Sequence, residues 1–126
     1  MASVEQVTSL TKDNLHIIFG SHSHEERMKN LQRLWHPDAI FIDPAATVNT
    51  HQATSDSVAK LLNPGWEFQE LGPVDVISPP GSDLSVARLR WGYGKAGEAP
   101  EVTGLDVVTV KDGKIERLYT FLDAKP

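Results

Sequence analysis

The sequence contains no cysteine, which excludes disulfides, thiolate metal sites and thiol catalysis and fits a cytoplasmic protein. No apolar run approaches the roughly 18 residues needed to span a bilayer, so no membrane partner is expected. Twelve basic residues stand against 17 acidic ones, for a net charge of −5, and none of the Lys and Arg form a block. Nucleic acid is therefore not an expected partner. The opening MASVEQVTSL lacks a basic stretch followed by a hydrophobic one, so no secretory signal is expected. A G-x-S-x-G elbow, a Walker A loop and a G-x-G-x-x-G fingerprint are missing too. Trp91-Gly92-Tyr93-Gly94 carries two glycines but opens no helix. There is no internal repeat, low-complexity tract or linker.

What is present is ordinary for a folded protein. The 126 residues, 40% hydrophobic and 23% charged, fit a single domain over 1–126 with one core. Ser3 and Gln6 read as a capping box for a helix carrying Val4, Val7, Leu10, Leu15 and Ile18, stopped by Gly20. Ser23 and Glu26 form a second such pair. Met28, Leu31, Leu34 and Trp35 then recur at helical spacing until Pro37 ends the helix. Ala39 to Pro44 is a short β-type run. A third helix is predicted from a cap near Thr54 to Leu62, broken by Asn63-Pro64-Gly65. The remainder reads as strand: Trp66 to Ile77, Leu84 to Tyr93, Val102 to Val110, and Ile115 to Leu122. Asp112-Gly113 between the last two is a type I′ hairpin signal. Helices followed by consecutive strands imply an α+β fold with helices on one face of an antiparallel sheet.

Two acids draw attention. Asp43 closes a strand of Ile and Phe and precedes a proline that fixes the backbone. Beside Phe41 and Ile42 its carboxylate is partly desolvated and so a better base, but Asp-Pro is also a common turn pair. Asp106 lies mid-strand, where aspartate is disfavoured. Alternation puts it on the face of Val102, Gly104, Val108 and Val110. If that face is inward, Asp106 is either paired or kept protonated as a hydrogen-bond donor. The alternative is a ladder aspartate paired with Arg88 or Arg90 on the neighbouring strand.

The histidines are dispersed. His16 falls in the first helix, His51 follows the Asp43 strand, and no spacing converges three or four ligands on a metal. Leu89, Trp91 and Tyr93 share one strand face, and Arg88 and Arg90 the other. Trp35, Trp66 and Trp91 are candidates for the core or for the wall of a cavity holding a flat ligand.

Leu34 to Pro44, the short helix, Gly104 to Val108, Asp112 to Ile115 and the final Phe121-Leu122-Asp123 together resemble the SnoaL-like group of the nuclear transport factor 2-like superfamily. The resemblance covers nearly the whole chain in the right order, through short motifs. It implies a cone-shaped α+β barrel, with three N-terminal helices packed on a strongly curved, mainly antiparallel sheet around a deep pocket. It also implies a homodimer formed through the sheet. The superfamily holds isomerases, cyclases, dehydratases, an epoxide hydrolase and non-catalytic binding domains, so fold alone does not assign function. Asp43 stands where the ketosteroid isomerase pattern has its general base, and Asp106 within one residue of its protonated oxyanion aspartate. That pattern's helical tyrosine is missing, since no tyrosine precedes Tyr93, and His16 falls near its position. The epoxide hydrolase relay of paired Asp and Arg is not matched around Arg88 and Arg90.

The expectation is a cofactor-free acid–base enzyme of isomerase, cyclase or dehydratase type. It would abstract a proton α to a carbonyl of a small or polycyclic apolar substrate through Asp43, Asp106 and His16. Trp35, Phe41, His51, Trp66, Trp91 and Tyr119 would line the pocket. The alternatives are a non-catalytic small-molecule-binding domain and a protein-interaction module working through its sheet.

Overall fold

A computed structural model describes residues 2–124. Helix α1 spans Val4–Asp13 and opens on the reciprocal Ser3–Gln6 capping box. The helix does not stop at Asp13 but widens into a π-helical segment, Asn14–Phe19, which ends at Gly20. The Gly20 amide donates to the Leu15 carbonyl five residues back at 2.9 Å. Helix α2, His24–Leu34, is capped by the Ser23 hydroxyl.

Strand β1, Trp35–Ile42, follows α2 with no loop, so Trp35 and Pro37 belong to the strand rather than to a helix end. Proline has no amide proton for a ladder. Its place here lies in the irregular stretch between Trp35 and Ile40, where the pairing of β1 with its neighbour shifts register. Short β2, Thr47–Val48, turns back on β1, and α3, His51–Leu61, starts under the Thr50 hydroxyl, its cap four residues earlier than expected.

Gly72 and Pro73 split the expected Trp66–Ile77 strand into β3, Trp66–Glu70, and β4, Asp75–Ile77. Long β5, Leu84–Lys95, pairs with β4 through its first half and β3 through its second. β6, Val102–Lys111, and β7, Lys114–Leu122, form the terminal hairpin. Its turn has positive φ at both Asp112 (51°) and Gly113 (77°), the type I′ geometry that Asp-Gly favours.

The sheet order is β2-β1-β7-β6-β5-β3, with β4 beside β3 on β5. Among the described residues only the β1–β7 pair is parallel. The edge strands do not meet, so the barrel is open. The three helices pack on the inner face of the sheet. Val7, Ile18, Leu31, Trp35, Val58, Val108, Ile115 and Leu118 are fully buried between the layers. Among the described residues no helix is long and apolar enough to cross a membrane.

Candidate active site

The inward face of β6 reads Gly104, Asp106, Val108, Val110, all buried. Asp106 is 4% exposed, and its Oδ1 accepts hydrogen bonds from Trp91 Nε1 at 2.9 Å and from Thr120 Oγ1 at 2.8 Å. Both bonds fall on one oxygen, which leaves Oδ2 without a protein partner among the described residues. Burial pushes the Asp106 carboxyl up to about 7, against the opposing pull of the two hydrogen bonds. Arg88 and Arg90 do not relieve it. They lie on the outer face and pair with Asp75 and Asp123, each at 2.9 Å.

The reach of Trp91 depends on a missing side chain. Trp91 on β5 pairs directly with Gly104 on β6. A Cβ at Gly104 would lie 2.5 Å from Trp91 Cζ2 and 2.4 Å from the Phe121 carbonyl oxygen. Glycine here lets the indole lie across the strand and present its N–H to Asp106, two residues further on.

Asp43 follows β1 directly. Its Oδ1 accepts from the amides of Ala45 (2.8 Å) and Ala46 (2.9 Å), while its own amide donates to the Ala46 carbonyl at 3.1 Å. This is an Asx-type turn, so the turn reading of Asp43 holds. Asp43 and Asp106 also line the same hollow. The turn amides orient the carboxylate and leave Oδ2 uncommitted.

That hollow has a volume of about 220 Å³ and is walled by Phe19, Phe41, Trp66, Phe68, Trp91 and Tyr93, with Leu15, Thr120 and Leu122 among the rest. Phe68 and Tyr93 stack with centroids 4.3 Å apart, Trp66 tilts against Tyr93 at 5.3 Å, and Phe68 meets Trp91 edge-on at 5.6 Å. The Asn63 amide donates to the Tyr93 hydroxyl at 2.7 Å, tying the loop after α3 to this wall. Leu15 and Phe19 come from the π-helical segment. Such segments are rare and recur at functional sites, and here the altered winding supplies two of the apolar walls.

Of the nine residues expected at the site, Asp43, Asp106, Phe41, Trp66 and Trp91 come together at the cavity. Trp35 does not. It is fully buried in the main core, where its Nε1 donates to the buried Asn14 Oδ1 at 2.9 Å. His16 turns outward and its Nε2 donates to Glu70 Oε2 at 2.8 Å, with 41% of its side chain exposed. The π-helical segment presents Leu15 and Phe19 inward and His16 outward, so His16 does not replace the missing tyrosine. His51 starts α3 and donates to the His36 carbonyl at 2.9 Å, outside the cavity. Tyr119 lies on the outer face of β7, opposite the inward Leu118 and Thr120, where its hydroxyl accepts from Arg117.

Phe68, Tyr93, Thr120 and Asn63 complete the site and were not expected there. Alternation along β5 and β7 carried the signal for Tyr93 and Thr120, which share their faces with Trp91 and Leu118. Nothing in the sequence marked the loop residue Asn63. No group of three or more His, Asp or Glu side chains able to hold a metal exists among the described residues.

Residues 21–118 match the SnoaL-like domain family, and the chain belongs to that family. No curated protein sequence matches it. Among solved structures, one from Agrobacterium tumefaciens proposed to be an isomerase of the SnoaL-like family superposes with a TM-score of 0.76 at 20% identity, over 96% of this chain and 100% of the other. A proposed ketosteroid isomerase from Kribbella flavida gives 0.67 at 17% identity, over 97% and 81%. A nuclear transport factor 2-like superfamily protein from Salmonella enterica gives 0.70 at 14%, over 96% and 91%. At these identities the likeness is one of fold.

Proposed function

We propose that the protein is a cofactor-independent acid–base enzyme of isomerase type, acting on a substrate with a proton α to a carbonyl. The observation that carries this reading is the pairing of two unlike carboxyls on one apolar cavity. Asp43 would take the α-proton through its free Oδ2. Asp106, buried and retaining a proton up to about pH 7, would donate from Oδ2 to the developing enolate oxygen. Trp91 and Thr120 hold Asp106 by its other oxygen and fix its direction. Isomerisation, cyclisation and dehydration share this first step. The family membership and the two isomerase-type structural relatives support the class of reaction.

The test is exchange of α-protons for solvent deuterium in a panel of cyclic ketones, enones and lactones, followed by NMR. Asp43→Asn should retain binding and lose about 10²–10⁴-fold in rate. The wild-type rate should fall as pH rises past about 7, where Asp106 gives up its proton. Binding with no exchange by any variant would make the protein a ligand-binding domain instead.

We propose too that two copies pair through the outer face of the sheet. On that face Leu105 is paired with Phe121 and Val107 with Tyr119, and Phe121 is 56% exposed. Sedimentation equilibrium should give a dimer for the wild type and a monomer for Phe121→Asp.

A further inference from the structure

The cavity itself restricts what can enter. At about 220 Å³ it is little larger than the roughly 150 Å³ apolar cavity that holds a benzene molecule. It falls below the roughly 300–1,000 Å³ of pockets that enclose drug-sized ligands. One ring with small substituents fits, and the space left over shrinks quickly as further rings are fused to it. The wall is a run of aromatic faces, with Phe68 and Tyr93 stacked at an interplanar angle of 27°, which favours a flat guest. Among the described residues no Lys, Arg or His lines the cavity, and the carboxyls there are those of Asp43 and Asp106. A carboxylate or phosphate inside would meet negative or polarised oxygen and no compensating cation.

Among the wall aromatics, Trp66 is the one free to set the size limit. Trp91 is pinned by Asp106 and Tyr93 by the Asn63 amide. Phe19 and Phe41 belong to the main core, and Phe68 is wedged among Phe19, Trp91 and Tyr93. Trp66 is only partly buried, and among the described residues its side chain makes no hydrogen bond and touches a single aromatic ring, that of Tyr93.

We infer that the site takes an uncharged, flat, single-ring carbonyl compound, and that Trp66 is the residue that excludes larger fused-ring substrates. The carbonyl rests on the acid–base reading above; size and charge rest on the cavity alone.

The experiment measures binding by calorimetry and α-deuterium exchange by NMR for four probes. They are 2-cyclohexenone, 1-tetralone, a four-ring steroid enone and cyclohexanone-4-carboxylate. The wild type should bind the cyclohexenone at least about tenfold better than each of the others, the usual scale of discrimination by pocket size. Trp66→Ala should reverse the order of cyclohexenone and tetralone, and Trp66→Leu should do so in part, which keeps the test valid if the alanine variant does not fold. The inference is overturned if the steroid or the carboxylate binds the wild type as well as cyclohexenone does. It is overturned equally if no ring compound binds, or if folded Trp66 variants keep the wild-type order. The expected order without any deuterium exchange would sink the acid–base reading and leave the size and charge limits standing.

Discussion

The terminal hairpin runs through two different interiors. Towards the Asp112-Gly113 turn, the inward residues of β6 and β7 are Val108, Val110, Ile115 and Leu118, all at most 1% exposed. They are packed in one cluster with Val7, Leu31 and Trp35. Towards the other end the same two strands present Gly104, Asp106, Thr120 and Leu122, and the layer between sheet and helices opens into a cavity. The alternation is unbroken along β6, so the backbone treats both ends alike. Side-chain size and polarity decide which end is filled. Aspartate and threonine stand here where valine and leucine fill the other end, the Trp91 indole lies over Gly104, and the aromatic side chains of β3 and β5 line the gap rather than fill it.

Two tryptophans test this contrast most severely. Trp35 sits in the filled end, fully buried, with its indole on Asn14. Trp66 stands at the hollow end and is partly exposed. Trp35→Ala should cost about 3–5 kcal/mol, since it opens a large hole and also strands the buried Asn14 oxygen. That is a large share of the roughly 5–15 kcal/mol available to a domain of this size. Trp66→Ala should cost clearly less, because it enlarges a space already present. Urea unfolding of both variants measures the difference. Equal losses would mean that the two ends are packed alike.

A smaller effect separates the ends by pH. Asp106 titrates at about 7 when folded against an ordinary value of 3.8, so between those values the folded chain holds a proton that the unfolded chain has released. Stability should therefore be full below about pH 4, decline as pH rises and level off above about 7. The loss is on the order of 4 kcal/mol at most. Asp106→Asn keeps an acceptor for Trp91 and Thr120 and has no proton to lose, so its stability should be flat across that window. Glu70 and Asp123 act in the opposite sense. The His16 hydrogen bond lowers Glu70, and hydrogen bonds from Thr103 and Arg90 lower Asp123. Their contribution is lost only as pH falls through the acidic carboxylate range. Denaturation curves at pH 4, 5.5, 7 and 8.5 distinguish the two windows. A wild type as flat as Asp106→Asn would remove the buried, protonated carboxyl from the site.

The helix caps at Ser3 and Ser23, the I′ turn and the inward face of β6 were all legible because each rests on a local rule: a side chain three residues from an amide, a φ sign, a period of two. Asp106 stood out for the same reason, as a carboxylate on a face otherwise apolar. What the sequence hid depended on winding and on neighbours. The expected helix through Asp13 continues with five-residue hydrogen bonds, and a change of pitch alters which side chains face inward. Even an ordinary helical wheel, at about 100° per residue, puts His16 opposite Val7 and so outward. Trp35 reads as part of the α2 apolar stripe and is in fact the first residue of β1, which sends it to the filled end. His51 and Tyr119 were expected at the pocket, although alternation along β7 puts Tyr119 opposite Leu118.

His16 offers the finest division between the ends and the surface. Its ring contacts Glu70 at 2.8 Å, Lys12 shares that carboxylate at 3.5 Å, and the side chains of His16, Lys12 and Glu70 are 41%, 45% and 29% exposed. Pairs of this kind contribute about 0.2–1 kcal/mol and weaken with added salt. The cluster ties α1 and the π-helical segment to β3 from outside, while Leu15 and Phe19 of that segment face the cavity from within. His16→Ala should thus lower stability by no more than about 1 kcal/mol, an effect that fades at high ionic strength. It should leave the rate of α-deuterium exchange within about twofold of the wild type, since fractions of a kcal/mol at the transition state are all that a remote surface pair can supply. The exchange rate is the decisive reading. A loss of about 10²-fold or more would mean that the ring reaches the reacting oxygen, and that the segment rewinds when substrate binds.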